Sequence, residues 1–218
     1  MDLAAFERDG AAHFSAVLDS DAVARLCEWL EPELKGRPGV RLTRGLDAVL
    51  PALTEVASRM IGPGAFPVRA VVFDKTSETN WSVAWHQDRT IAVRERCETV
   101  GYGPWSVKDG IPHVEPPISV MAGMITLRLH LDDCDADNAP LTVALGSHRR
   151  GRVPAAEVAA LARSMPNLSC RAQAGDVWAY STLILHASDR SESRTRRRVL
   201  QVDFAAQGLP GGLEWHGF

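Results

Sequence analysis

The feature that most constrains this fold is a change of sequence pattern near residue 66. From there onward the chain consists of short runs rich in Val, Ile, Leu, Thr and Trp, separated by Gly, Asp, Asn and Pro. Such runs and breaks predict strands joined by turns. The predicted strands are 67–74, 82–87, 89–94, 123–131, 140–145, 168–173, 176–182, 183–188 and 197–205. So many closely spaced strands favour an antiparallel double-stranded β-helix, a mainly β, cupin-like jelly roll that carries helices on its outside.

The segment before residue 62 follows a helical pattern instead. Apolar residues at helical spacing predict a helix from about 21 to 34, with Ser20 as its N-cap. A second helix is predicted between 46 and 60, and a third, near 154–164, interrupts the strands. These helices are expected to flank the sheets.

The length of 218 residues suits a single domain with one well-buried core. We expect a helical part at about 1–62 and a jelly-roll core at about 66–206. The longest irregular stretch of that core is about 97–117, and a connection of this length is usually functional or disordered. We expect it to form a mobile lid over the active site, in which Tyr102 and Trp105 close on the substrate.

Composition limits the partners and the compartment. A net charge of −3 gives no electrostatic reason to expect nucleic acid, and the basic cluster between Arg194 and Arg198 is short. No stretch approaches the ~18 uncharged residues of a membrane span, and the first ten residues lack the pattern of a signal peptide. The four cysteines show no C-x-x-C spacing. We expect a cytoplasmic protein with reduced thiols, and the sequence predicts no oligomeric state.

Three His-x-acid triplets are candidates for metal binding. They are His86-Gln87-Asp88, His113-Val114-Glu115 and His130-Leu131-Asp132. With 7 histidines and 27 acids in 218 residues, about one such triplet is expected by chance. Residues i and i+2 of a strand point to the same face, so the first and third triplets could each reach into a cavity. The second lies between prolines in the predicted loop, where nothing fixes the direction of its side chains. Spacing alone does not choose among them.

A mononuclear iron site with two histidines and one carboxylate needs a third ligand and leaves other positions open for oxygen and an organic co-substrate. His186 is the main candidate, because it ends an apolar run that follows the Gly175-Asp176 turn. Ser188 lies two residues further on, and Arg197 begins the last predicted strand. An arginine and a serine near iron form a receptor for a carboxylate.

Alternation along the last predicted strand separates two faces. One face suits a wet cavity and carries Arg197, Val199, Gln201 and Asp203. The other is largely apolar and carries Arg198, Leu200, Val202 and Phe204. A shift of one residue would exchange the two faces, and the neighbouring arginines 194, 196 and 198 would then compete for the role of Arg197.

Several segments together resemble the phytanoyl-CoA dioxygenase family of iron(II)- and 2-oxoglutarate-dependent oxygenases. The resemblance covers most of the chain. It rests on FERDG at 6–10, FDK at 73–75, WHQD at 85–88, LDDCDADNAPLTVALGSHRRGRV at 131–153, AGDVWAYSTLILHAS at 174–188 and the arginine at 197. Two positions depart from the family pattern. Ala139 stands where glycine is usual, and Ala144-Leu145 stand where proline is commoner before Gly146.

The resemblance implies roles for individual residues. His86, Asp88 and His186 would bind iron(II), while Arg197 and Ser188 would hold the distal carboxylate of 2-oxoglutarate. The third triplet becomes the end of a scaffold strand. Thr126 and Arg128 share a strand face with His130, and they either contact cofactor or substrate or form a structural salt bridge. Candidates for the substrate entrance are Lys75, Arg69, Trp81, Trp105 and Arg128.

The implied activity is that of a dioxygenase that consumes O2 and 2-oxoglutarate, releases succinate and CO2, and hydroxylates an unactivated C–H bond of a small molecule. The presence of Asp88 argues against halogenation, because related halogenases replace the carboxylate ligand by a small residue. Desaturation, ring closure and epimerisation remain alternatives. So do two other classes: a non-redox metal-dependent hydrolase with the same ligands, and a non-catalytic or sensory jelly-roll protein.

Overall fold

The computed structural model describes residues 3–193 and 195–217. Its α-helices are α1 Leu3–Asp9, α2 Ser20–Leu34, α3 Leu50–Ile61, α4 Ile118–Ala122 and α5 Ala155–Arg163. The strands are β1 Ala11–Phe14, β2 Gly39–Leu42, β3 Phe66–Lys75, β4 Val83–His86, β5 Ile91–Ala92, β6 Trp105–Lys108, β7 Ile111–Val114, β8 Ile125–His130, β9 Leu141–Ala144, β10 Asn167–Cys170, β11 Val177–Ser181, β12 His186–Ser188 and β13 Arg197–Ala205. Within these residues, no helix is long and apolar enough to cross a membrane.

Two antiparallel sheets form the body of the protein. The larger has the order β1-β11-β8-β13-β3-β2, and the smaller has the order β10-β9-β12-β4. The predicted mainly β jelly roll with flanking helices is therefore confirmed. A third sheet, β5-β7-β6, is formed by a short strand and a hairpin.

Helices α2 and α3 pack on one face of the larger sheet. Leu30 and Leu53 from these helices share a buried cluster with Leu200, Val202 and Phe204 of β13. Full burial of each such side chain contributes about 1.5–3 kcal/mol, so burial determines which face of β13 packs against the helices. The alternation predicted along β13 is thereby confirmed, because the intervening residues must face the other sheet.

The N-terminal part differs from the prediction in two ways. Asp19, not Ser20, is the N-cap of α2, since its side chain accepts a hydrogen bond of 2.7 Å from the backbone N–H of Ala22. The region predicted as helical also supplies the two edge strands of the larger sheet, β1 and β2. Each has only four residues, which is too short for a clear alternation.

The stretch 97–117 is irregular only at its two ends, so the prediction of a wholly irregular connection was wrong. It contains β6 and β7, which pair antiparallel, and β7 also pairs with β5. The two residues between the strands, Asp109 and Gly110, both have positive φ angles, 51° and 80°. An Asp-Gly pair with two positive φ angles is the usual two-residue hairpin turn, and this local signal could have revealed the hairpin.

Candidate metal centre and its cavity

The first triplet and His186 come together in space. Ligand atoms of His86, Asp88 and His186 all lie within 4.8 Å of one another, and they are the only such group found among residues 3–193 and 195–217. His86 ends β4 and pairs directly with His186, which begins β12, so that the ring centroids are 4.1 Å apart. Asp88 lies two residues beyond the end of β4. Asp88 therefore lies outside the strand, but its side chain still converges with that of His86.

Gln87 fixes the segment between the two ligands. Its side-chain amide donates hydrogen bonds to the carbonyls of Leu183 (2.7 Å) and Gly151 (2.8 Å) and accepts one from the backbone N–H of Val153 (3.2 Å). A buried amide with three partners in two separate segments can adopt only one orientation. Sequence analysis overlooked Gln87, although its place between two inward-pointing residues signals a side chain that points the other way.

Both histidines are held in the tautomer that a metal requires. Nδ1 of His86 lies 2.9 Å from the carbonyl of Ala84, and Nδ1 of His186 lies 2.9 Å from the carbonyl of Ile184. A carbonyl only accepts, so Nδ1 carries the proton and Nε2 keeps its lone pair. Burial, with the nearby charge of His86, lowers the pKa of His186 to about 4 despite the opposing effect of Asp88. His186 is therefore neutral at pH 7.

Asp88 is held as a carboxylate by the charges around it. Burial alone would raise its pKa, but Arg69, His186 and His86 outweigh burial and lower the pKa. The Arg69 guanidinium lies 3.8 Å from Asp88 and 2.6 Å from Asp203, so it links the two acids. Arg69 lines the cavity as predicted, but its charge is already paired.

The rival triplets do not form metal sites. Glu115 is paired with Arg152, and Asp132 accepts two bonds from the Arg198 side chain, at 2.7 and 2.9 Å. Both acids are therefore bound by arginines and are not free to share a metal with the histidines of their triplets. His113 lies in β7 and not in a loop, and its Nδ1 is bonded to the carbonyl of Ile111. The scaffold role expected for the third triplet agrees with the Asp132 pair.

A cavity of about 690 Å³ opens beside the three ligands. Four of the five predicted substrate residues line it. They are Arg69, Lys75, Trp81 and Arg128, together with Ser188 and Arg197 of the predicted co-substrate site. Lys75 and Trp81 also contact each other, with the ammonium 5.2 Å from the ring centroid. The candidate metal ligands and these side chains therefore share one cavity.

Thr126 and Trp105 do not line this cavity, in contrast to their predicted roles. The hydroxyl of Thr126 donates to Asp203 at 3.0 Å and lies 3.1 Å from Thr182, so it belongs to the network that holds Arg69. Trp105 packs in a separate apolar cluster with Tyr102. Alternation along β8 correctly placed Thr126 on the same face as Arg128. The cavity covers only the part of that face that carries Arg128.

Arg197 has the features of an anion receptor. It is 2% exposed, and its Nε and Nη1 atoms are buried with no hydrogen-bond partner among the described residues. Unpaired buried donors are costly, so an arginine in this state calls for an anionic partner. Burial, and next the charge of Arg128, lower the pKa of Arg197 to about 10, which leaves it charged at pH 7.

The flanking arginines are paired with protein acids. Arg196 donates to Asp74 at 2.7 and 2.9 Å and to Glu31 at 2.8 Å, while Arg198 pairs with Asp132. Neither lines the cavity. The parity predicted for Arg197 thus agrees with the structure at all three positions, and Arg194 lies outside the described residues.

Ser188 and Lys75 lie on the same side of the cavity as Arg197. The Lys75 ammonium donates to the Ser188 hydroxyl at 3.1 Å and to the carbonyl of Asp189 at 2.5 Å. Ser188 in turn donates to the carbonyl of Ala139 at 3.2 Å. A hydroxyl has one proton, so Ser188 must redirect it to bind a carboxylate. Lys75 is a second cation that faces the same space.

The two departures from the family pattern have visible consequences. Ala139 has a φ angle of 48°, in the left-handed region that favours glycine. The backbone N–H of Leu145 donates to the carbonyl of Pro166 at 2.8 Å, a bond that a proline at this position could not make. Both turns therefore keep their geometry with different residues.

A family model agrees with this geometry. The model described as Phytanoyl-CoA dioxygenase (PhyH) matches residues 6–199. The chain belongs to the phytanoyl-CoA dioxygenase family. This confirms the family and the enzyme class predicted from the motifs, an oxygenase that uses iron and 2-oxoglutarate. No curated protein sequence matches the chain.

Solved structures share the fold over nearly the whole chain. AviO1 from Streptomyces viridochromogenes Tue57 is 22% identical with a TM-score of 0.68 over 95% of both chains. The non-heme alpha-ketoglutarate-dependent carbocyclase SnoK from nogalamycin biosynthesis is 16% identical with a TM-score of 0.69, over 99% of this chain and 85% of its own. EctD from S. alaskensis, solved with 2-oxoglutarate and 5-hydroxyectoine, is 17% identical with a TM-score of 0.64, over 99% and 78%. At these identities the likeness establishes the fold.

Proposed function

We propose that this oxygenase hydroxylates an unactivated C–H bond of a small molecule, with His86, Asp88 and His186 as the iron(II) ligands. The observation that supports it is the presence in one cavity of three converging ligand atoms and of Arg197, whose Nε and Nη1 atoms are buried without a hydrogen-bond partner among the described residues. A hydrolase would use the same ligands but would leave Arg197 without a role.

The donor set fits iron(II) in this family. Two neutral imidazoles and one carboxylate on one side of a metal are the ligands of non-heme iron oxygenases, and the remaining positions serve oxygen and the co-substrate. Iron and 2-oxoglutarate supply the oxidising chemistry when bound: O2 and 2-oxoglutarate give succinate and CO2, and one oxygen atom enters the substrate. The protein holds the ligands in place through Gln87 and the two Nδ1 hydrogen bonds.

Arg197 orients the co-substrate in this proposal. Its Nε and Nη1 atoms have no partner within the described chain, and Nη2 together with either of them offers the two parallel N–H bonds that a carboxylate accepts. Ser188 donates a third, and the ammonium of Lys75 adds charge at 3.1 Å from Ser188. Two-point binding at this end fixes the direction of the molecule and so sets which of its atoms face the ligands.

Side chains of the cavity wall exclude water from the reacting C–H bond. Val71, Phe73, Val83 and Leu141 line the cavity between the charged groups. Apolar walls position a C–H bond by shape, because such a bond offers no hydrogen bond to hold. SnoK is described as a carbocyclase, so product analysis is needed to distinguish hydroxylation from other outcomes on this fold.

Removal of each ligand tests the assignment. His86→Ala, Asp88→Ala and His186→Ala should each abolish tight iron(II) binding and 2-oxoglutarate-dependent succinate formation. His113→Ala and His130→Ala are the matched controls and should retain iron, since their triplets have no free acid. Metal content after anaerobic loading, measured beside succinate, gives both readouts.

Loss of iron in His130→Ala with retention in His86→Ala would show that the wrong triplet was chosen. Failure of the parent protein to form a visible charge-transfer band with iron(II) and 2-oxoglutarate would contradict the proposed chemistry itself. Mass analysis of the product for one added oxygen tests hydroxylation.

A further inference from the structure

The cavity carries far more positive than negative charge. Among the described residues that line it, Asp88 is the one acidic side chain. The cationic side chains of the lining are Arg41, Arg69, Lys75, Lys108, Arg128 and Arg197. Charges this close together in a partly dry space repel one another, so the excess calls for anions in addition to Asp88.

The proposed co-substrate offsets only part of this excess. Arg69 is paired with Asp203, and Asp88 would be paired with the metal. A divalent metal keeps one positive charge after Asp88 is counted. One carboxylate of 2-oxoglutarate would offset that charge, and the other would offset Arg197. Lys75 and Arg128 remain beside Arg197: after burial, the charges of Arg197 and Arg128 lower the pKa of Lys75, and the charge of Arg128 lowers the pKa of Arg197. We call Lys75, Arg128, Ser188 and Arg197 the inner end of the cavity.

A second group of cations lies at a more exposed part of the lining. Arg41 lies on the edge strand β2, and Lys108 ends β6 at the hairpin turn. Arg41 pairs with Asp109, whose side chain is 66% exposed. Burial and the charges of Arg69 and Arg41 lower the pKa of Lys108, and the charge of Asp88 opposes this change. Lys108 is therefore close to Arg41 and also to Asp88. We call Arg41 and Lys108 the outer end.

The outer end has unused hydrogen-bond donors. The Lys108 ammonium has three N–H bonds, and one of them goes to the hydroxyl of Thr90 at 3.0 Å. The Nε atom of Arg41 is buried with no partner in the described part of the chain. Two N–H bonds of Lys108 and one of Arg41 are therefore left without a partner among the residues that the structure describes, on two side chains that line the cavity. After Asp109 offsets Arg41, the group has a net charge of about one.

We infer that Arg41 and Lys108 bind a carboxylate of the substrate, and hence that the substrate is a small organic acid. This inference rests on the proposed function, which assigns the inner end to 2-oxoglutarate. A singly charged carboxylate with two oxygens matches three donors and one net charge. A neutral substrate would leave Lys108 and the Arg41 Nε unpaired in a partly buried space.

Paired probes test the inference. The protein is loaded with iron(II) and 2-oxoglutarate without oxygen, and a series of N-acyl amino acids is titrated by calorimetry beside the corresponding primary amides. The acids should bind at least about tenfold more tightly than the amides, since a charge-assisted bond is lost in each amide. Lys108→Gln should remove this preference, and Arg41→Gln should reduce it.

Two controls separate the outcomes. Lys35→Gln, which changes an exposed lysine that does not line the cavity, should bind the acids like the parent. The charge-transfer titration with 2-oxoglutarate should be unchanged in Lys108→Gln, which also shows that this variant is folded. Equal binding of acids and amides, or no binding of any acid, would overturn the inference. Weakened 2-oxoglutarate binding in Lys108→Gln would assign the outer end to the co-substrate instead. If the band is absent in the parent, the proposed function has failed.

Discussion

Both the inner and the outer end of the cavity present cationic side chains, but different kinds of structural element carry them. The inner residues Lys75, Arg128, Ser188 and Arg197 are between 2% and 7% exposed and lie on β3, β8, β12 and β13 of the two main sheets. The outer residues lie on an edge strand and at the turn of a hairpin in the third sheet. Strands inside a sheet fix their side chains through two neighbours, whereas edges and turns have fewer bonds.

This difference fits two kinds of ligand. A co-substrate is the same molecule in every member of the class, so a rigid receptor suits it. A substrate differs from one enzyme to the next, and binding residues on loops and edges can vary without disturbing the core. We therefore expect substitutions at the inner end to affect 2-oxoglutarate and substitutions at the outer end to affect the substrate.

The largest effect is expected from Arg197→Leu. Leucine keeps apolar contact but removes a buried two-point ion pair, worth about 2–5 kcal/mol when one partner is deleted, so 2-oxoglutarate affinity should fall at least ~30-fold. Iron should remain bound. The anaerobic charge-transfer band should need far more co-substrate to appear.

Arg196→Leu and Arg198→Leu are matched controls for this prediction. Each loses pairs with protein acids and should lower thermal stability, but the 2-oxoglutarate titration should change little. If either control, or Arg194→Leu, shows the large loss while Arg197→Leu titrates like the parent, the anchor has been assigned to the wrong arginine.

A smaller effect is expected from pH at Lys75. Burial, and next the charges of Arg197 and Arg128, lower the pKa of Lys75 to about 8. Its ammonium attracts an anion and its neutral amine does not, so affinity for 2-oxoglutarate should fall as pH rises through 8, by roughly threefold to tenfold. Lys75→Met should bind more weakly at pH 7 and show a flat profile between pH 7 and 9. A parent profile that is equally flat would remove Lys75 from the co-substrate site.

Sequence reasoning succeeded at the inner end for physical reasons. β13 is a nine-residue strand, so its period of two is long enough to assign Arg197 to the cavity and Leu200 to the helix-covered face. The proposed iron ligands came from a combination of motifs, not from spacing, because three triplets were equivalent on spacing alone. Thr126 shows the limit of this reasoning, since strand parity does not say where a cavity ends.

The outer end was not predicted, because no local sequence pattern marks Arg41 and Lys108 as binding residues. Arg41 and Lys108 are far apart in the sequence, and each looks like an ordinary surface charge. They meet because β2 joins the sheet edge and because Asp109-Gly110 turns the hairpin toward it. The Asp-Gly signal was present, but the prolines and glycines around it favoured a loop.

The predicted lid can now be tested as motion of the hairpin 105–114. Amide exchange should be faster there than in β8, because β6 is an edge strand of a three-stranded sheet. Exchange should slow when iron(II) and 2-oxoglutarate are added without oxygen together with an N-acyl amino acid. Exchange as slow as that of β8, and unaffected by these additions, would show that the outer end is as rigid as the inner end.

The smallest effect is expected at Ala139, whose carbonyl accepts the Ser188 hydroxyl at the inner end. A left-handed φ angle costs a residue with a Cβ about 1–2 kcal/mol, and glycine would relieve this. Glycine would also lose a buried methyl group, worth about 0.8 kcal/mol, and about 0.5–1 kcal/mol of backbone entropy. These effects nearly cancel, so Ala139→Gly should change the free energy of unfolding by less than about 1 kcal/mol.

The matched control for this last prediction is Ala179→Gly. Ala179 is equally buried, but it lies within β11, where alanine is unstrained, so the same loss of methyl group and entropy should cost about 1.5 kcal/mol with nothing regained. The difference between the two variants in denaturant unfolding measures the strain at Ala139 directly. If both variants lose the same stability, the turn carries no strain. Unchanged 2-oxoglutarate binding in Ala139→Gly would show that the carbonyl keeps its position behind Ser188, and that the strands on either side, not the residue in the turn, hold the inner end.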